Sequence, residues 1–275
     1  MRSLVMALLD VGREKPAEKV GFDDADHLAN LERARAALPH LPGSWTGAAQ
    51  DEAATRDLLD AMRSGSIADA SEKTLEQLQS GRSQAQGIWD AVHLAAGELM
   101  MRKPGIFGIH TVTSINSLHY AFRTAATAET RLDVLLHAVA WMGRFREIMS
   151  RGGNFGATKI TELKPAEVSP DEAVAAAETF ELVGKNPPGA AARAFALAQK
   201  HPQPDAYAGM ARKVLFRKGT DAHHYKYAAA ILEDYGLVSP AWRPHLLATS
   251  VYYFKGSKDP DSRLMQQAVE AVRKV

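Results

Sequence analysis

Ten histidines and no cysteine set the chemistry open to this chain of 275 residues. Disulfides, thiolate-bound zinc, iron–sulfur clusters and thiol nucleophiles are excluded, and imidazole is the main metal-binding group left. His93 lies three residues after Asp90 and four before Gly97, on a common helical face. Asp90 can take the second ring N–H and fix the tautomer, as partners of metal-bound histidines do, and Gly97 leaves room for a bound group. A carboxylate-paired histidine at a polar rim fits the same spacing. His110 opens the segment His110-Thr111-Val112-Thr113-Ser114, with Thr113, Ser114 and Ser117 on its face. Hydroxyls bonding back to helix carbonyls around a hydrogen-bonded histidine is the plainer account of that stripe. His119 is nine positions further on, two and a half turns, and points the other way.

His137 has Asp133 one turn before it and Trp141 one turn after. The spacing suits a ligand backed by a carboxylate, and suits a buried ion pair better. His223 and His224 follow Thr220-Asp221 at a helix start, whose partial positive charge disfavours imidazolium. Lys226 shares the face of His223. As an ordinary solvated cation it plays no part; beside a metal it must be neutral, through burial of the amine, or carry CO2 as a carbamate. His27 is held in reserve.

The familiar catalytic signatures are missing. The chain has no GxxxxGK[ST] or GxGxxG nucleotide cradle, no GxSxG, no HExxH and no paired ExxH. A nicotinamide cofactor stays open, with no binding motif for one in the chain. Lys and Arg number 33 against 32 Asp and Glu, so no global positive field marks a nucleic-acid binder. No run approaches the ~18 apolar residues of a membrane span, and Ser3–Leu9 is too short for a signal segment. A cytoplasmic protein is expected.

These side chains must be carried by helices. Periodicity and punctuation place them near Asp24–Leu38, Ala48–Arg63, Ala70–Gln79, Arg82–Arg102, Phe107–Thr124 and Ala128–Ser150. Six more follow near Pro170–Leu182, Gly189–Lys200, Asp205–Arg217, Asp221–Tyr235, Pro240–Phe254 and Asp261–Lys274. Ser169-Pro170-Asp171-Glu172 and Ser239-Pro240 read as capped starts, and Gly65, Gly152, Gly184, Gly219 and Gly256 as stops. The strand signature is absent. The expectation is an all-α, multi-helix bundle of about 10–12 helices around a buried histidine-lined site, one domain over 1–275. Ile106–Phe122 and Val134–Met149 are apolar nearly all round and are expected at its centre. The stretch 151–168 reads as a long irregular connection.

With these residues in view, the chain resembles the questin oxidase-like proteins. The resemblance rests on His110-Thr111-Val112-Thr113-Ser114, on Thr130-Arg131-Leu132, and on Ser150-Arg151-Gly152. Val92-His93-Leu94 with Glu98, and Asp221-x-His223-x-x-Lys226, follow the family's order over roughly residues 89–230. The resemblance implies an all-helical oxygenase using dioxygen on an aromatic, polyketide-like small molecule, by ring cleavage or Baeyer–Villiger-type oxidation. It implies non-haem iron(II) held by His93, His110, His223 and a carboxylated Lys226. The early Asn-His-x-x-His segment has no counterpart other than His27, so a fourth histidine stands open among His27, His119 and His137. The residues alone also admit a non-catalytic helical binding protein whose histidines are structural.

Overall fold

The computed structural model describes residues 25–49, 51–151 and 153–273. Twelve α-helices and no strand occur among the described residues, so the all-helical expectation is met. The first six are α1 (Ala25–Ala37), α2 (Glu52–Ser64), α3 (Ile67–Gln79), α4 (Ala85–Arg102), α5 (Ile106–Thr124) and α6 (Ala128–Arg151). Then come α7 (Glu172–Leu182), α8 (Pro187–Lys200), α9 (Asp205–Lys218), α10 (Ala222–Leu237), α11 (Arg243–Ser250) and α12 (Arg263–Arg273). Asp24, Lys274, Gly152 and Ser3–Leu9, named in the sequence reading, lie outside the described residues.

Short polar side chains start several helices by accepting orphan N–H groups. Asp51 takes the N–H of Ala53, Asn186 that of Gly189, and Ser66 with Asp69 forms a reciprocal capping box. The start expected at Ser169-Pro170 falls two residues later. Asp171, not Ser169, caps α7, by accepting from the Val174 N–H, while Ser169 accepts from Asp171. Ser239-Pro240 opens a 3₁₀ turn, Pro240–Trp242, and α11 ends at Ser250 rather than Phe254.

The most buried helix is α4, not α5 or α6. Sixteen of its eighteen residues are buried, and the run is rich in Ala and Gly, which lets neighbours approach closely. One approach is at Gly97, where a Cβ would lie 2.7 Å from Thr249 Cγ2 and 3.3 Å from Ile160 Cδ1. Gly97 is thus a helix-crossing site, and the space expected there for a bound group is filled. The α6 helix is central as expected, with Val139 and Phe145 buried. One face of α5 is open: Ile106, Phe107 and Tyr120 are 48%, 46% and 63% exposed.

Two apolar clusters result. The first joins α2, α4, α5, α6 and the inner face of α10 through Leu58, Trp89, Ile115, Leu136 and Ile231. The second joins α7, α8 and α9 with the far side of α11 through Phe180, Ala194, Tyr207 and Leu247. The irregular stretch expected after α6 is present, broken only by a 3₁₀ turn at Ile160–Glu162 among its described residues. It is tied down by the buried Glu98, which accepts from Arg63 Nε and Nη2 (2.8 Å each), Arg102 Nη2 (2.9 Å) and the Ile160 N–H (3.0 Å). Lys103 donates to the carbonyls of Met149 and Gly153, satisfying the C-terminal end of α6.

Candidate functional site

Between α5, α6 and α10 runs an open groove of about 700 Å³. His110 enters from α5, His137 and Trp141 from α6, and His223 and Lys226 from α10. Four of the five site residues expected from sequence therefore share one surface, although they span 116 positions, from 110 to 226. The His110 and His223 rings meet edge-on, with centres 5.7 Å apart. His27, on the first turn of α1, meets His137 edge-on at 5.4 Å, and His137 in turn lies over Trp141 at 5.7 Å. Burial, and next the nearby His27, hold the His137 ring below the usual imidazole range, while Asp133 opposes them. Asp133 Oδ1 is buried with no hydrogen-bond partner among the described residues.

The α10 end of the groove is organised by Asp221. Its carboxylate caps the helix, accepting from the N–H of His223 (2.8 Å) and His224 (3.3 Å). The two histidines then diverge. His223 lines the groove, whereas His224 is buried against Tyr253, and burial lowers its pKa. Lys226 lines the groove but is exposed, so the expected burial of its amine is not found. The hydroxyl stripe of α5 has the plainer role. Thr113 and Ser117 donate to the carbonyls of Ile109 and Thr113, at 3.0 and 2.9 Å.

His93 is the residue the groove does not include. It is buried, and its Nε2 lies 2.9 Å from Nδ1 of His119. Its Nδ1 faces Asp234 Oδ2 at 3.5 Å. The ring of Trp89 stacks flat on His119, centres 4.3 Å apart, and burial pushes the His119 pKa down to about 3. The partner expected for His93, Asp90, spends its hydrogen bonds elsewhere: it accepts from the Ser239 N–H (2.9 Å) and Gln86 Nε2 (3.0 Å). Asp234 takes its place. The Asn116 side-chain amide donates to Asp234 Oδ1 (2.8 Å) and to Glu233 Oε2 (3.2 Å), and Glu233 lines the groove. Asn116, Glu233 and Asp234 were not picked out by motif. One signal was there: Tyr227, Ile231 and Asp234 fall at i, i+4 and i+7 on the buried face of α10, an odd place for a carboxylate.

A metal-bound imidazole has its ring centre about 3.2 Å from the ion, so two ligands of one ion have centres roughly 4.5–6.4 Å apart. Both the His110–His223 and the His27–His137 pairs fall in that range. The donor type suits a transition metal, and the spacing of each pair is compatible with one, as it is with the edge-on packing of two rings. The expected set of His93, His110 and His223 is not assembled: among the described residues no three His, Asp or Glu side chains are grouped so as to hold an ion. The class defined by fold and site is an all-helical protein with an open groove lined by histidines. No family model, curated protein or solved structure matches the chain.

Proposed function

We propose that the chain is a non-haem, iron-dependent oxygenase acting on a flat aromatic small molecule in the groove between α5, α6 and α10. The observation that supports this reading is the meeting of His110, His137, His223 and Lys226 on one surface beside Trp141. These residues come from three helices and were singled out from sequence by their residue types, spacing and family resemblance. His110 and His223 are the donors, with His137 lining the same groove and Lys226 able to join them only as a carbamate; His93 is committed to the interior. Iron(II), when bound, supplies the electrons that dioxygen needs to react with a closed-shell aromatic compound. The protein's part is placement. Trp141 and Leu118 give the groove apolar wall against a ring, and Asp221 fixes the backbone that carries His223.

Untagged protein loaded anaerobically with iron(II) is expected to retain about one ion per chain after desalting. His110→Ala and His223→Ala are expected each to lower that affinity tenfold or more while leaving the helical circular dichroism intact. Lys226→Ala is expected to weaken retention, with no recovery on adding bicarbonate. A second reading, a non-catalytic helical binding protein, draws on the His93–His119 pair, whose role is internal. Well-folded wild-type protein that retains no metal decides for it.

A further inference from the structure

The groove has two chemically different ends. On α10 its lining face reads His223, Lys226, Ala230 and Glu233, successive steps of three or four residues along one side of the helix. At a rise of 1.5 Å per residue, Glu233 lies about 15 Å along the axis from His223 and about 10 Å from Lys226. Ala229 and Ala230 leave a low floor between them. On α5 the same polarity repeats. His110 meets His223 at one end, and six residues on, about 9 Å further, Asn116 meets Glu233 at the other.

Glu233 is exposed and, among the described residues, takes one side-chain hydrogen bond, from Asn116. Both donated bonds of the Asn116 amide are used, one to Glu233 Oε2 and one to Asp234 Oδ1. Asp234 is fully buried; its Oδ2 stands 3.5 Å from Nδ1 of His93 and takes no hydrogen bond among the described residues, while His93 pairs with His119 under the ring of Trp89. The inner chain of side chains thus anchors Asn116, and Asn116 orients one oxygen of Glu233. Among the described residues the one side-chain hydrogen bond of Glu233 goes to this oxygen, leaving Oε1 to accept from a ligand. Among the described residues, Glu233 is the only Asp or Glu lining the groove.

We propose that Glu233 anchors the ligand: the groove takes an elongated, flat molecule that carries a hydrogen-bond donor, a phenolic hydroxyl or an ammonium, at the end remote from His110 and His223. This rests on the reading of the groove as a binding site for aromatic small molecules. It adds which way the ligand lies and what its far end must carry. Asn116 is a positioning residue, and so, at one remove, are Asp234 and His93. An ether oxygen at the same place meets a carboxylate lone pair with no proton between them, and is rejected.

The test is equilibrium binding of three probes of one shape: 2-hydroxyanthraquinone, 2-methoxyanthraquinone and 2-(aminomethyl)anthraquinone, followed by absorbance or quenching of tryptophan fluorescence. Wild type is expected to bind the hydroxy or the aminomethyl probe at least about tenfold tighter than the methoxy probe, since hydrogen bonds to a charged acceptor are the strong kind. Which of the two is preferred separates a phenol from an amine. Glu233→Gln, an exposed and near-isosteric change, is expected to abolish the preference, weakening the hydroxy and aminomethyl probes and admitting the methoxy probe, to whose ether oxygen the amide can donate. Asn116→Leu is expected to reduce the preference without abolishing it. Equal affinity of wild type for all three probes overturns the anchor and leaves the groove reading standing. Failure of all three to bind overturns both. Metal retention by Glu233→Gln equal to wild type is expected, because the anchor and the donor histidines occupy opposite ends.

Discussion

His119 and His245 show what a buried imidazole costs this molecule. Burial brings them to about 3 and about 4, against 6.5 for a free ring. Below pH 6.5 the unfolded chain therefore binds protons that the folded chain refuses. Stability from these rings is complete above about pH 6.5 and lost as pH falls toward 4, each contributing on the order of 1 kcal/mol per pH unit in that window. His137 and His224 are lowered in the same sense. Asp90, raised by burial, works in the opposite sense. The urea midpoint is expected to fall between pH 7 and pH 5, and His245→Gln to flatten that slope. A slope unchanged in the variant would show that His245 takes up its proton without opposing the fold. At this scale the sequence was informative about direction and silent about partners. Nine residues correctly set His110 and His119 on opposite faces, but nothing local said which face was inside. His93 was given the carboxylate three residues away, Asp90, when its real neighbour, Asp234, comes from another helix 141 positions later. Spacing along one helix reports only that helix.

At the scale of elements, hydrophobic patterning found the helices and misjudged which of them is innermost. The all-round apolarity of α5 reads as burial, yet Ile106, Phe107 and Tyr120 are exposed. The helix α4 is about as apolar as α5 and takes the deepest position, because its Ala and Gly admit close crossings that larger side chains forbid. Gly97 tests this. Gly97→Ala places a methyl 2.7 Å from Thr249 Cγ2, so α4 and α11 must separate or Thr249 must turn, and a loss of about 1–3 kcal/mol is expected. Gly209, within α9, has nothing within 4 Å of a built Cβ. Gly209→Ala is expected to change stability in the other direction, by about 0.5–1 kcal/mol, through helix propensity alone. Urea midpoints for both variants check the pair. Equal shifts of the same sign would mean that the crossing at Gly97 is looser than its distances.

Across the whole molecule the question is whether the two apolar clusters melt together, as the sequence expectation of one domain requires. The tryptophans offer a clean probe. Trp45, Trp89 and Trp242 belong to the first cluster and Trp141 packs on it, so all four report that cluster, whereas circular dichroism reports every helix. The joint between the clusters is α11. Leu246 faces the first cluster; Leu247, Ala248 and Val251 face the second. Its last turn is held from both sides: Tyr227 donates to the Thr249 carbonyl at 2.9 Å, and Tyr207 lies 2.6 Å from the Ser250 hydroxyl, both bonds buried. An eight-residue helix has no stability of its own and stays folded only while packed. Loss of either cluster removes one wall of α11 and exposes the apolar face of the other. Tryptophan fluorescence and circular dichroism are therefore expected to give superimposable urea transitions. Tyr207→Phe, which removes a buried bond of the second cluster, is expected to shift both transitions equally, by about 1 kcal/mol. If that variant moves the dichroism curve and leaves the fluorescence curve in place, the clusters are separate folding units and α11 is a contact between them rather than their shared core.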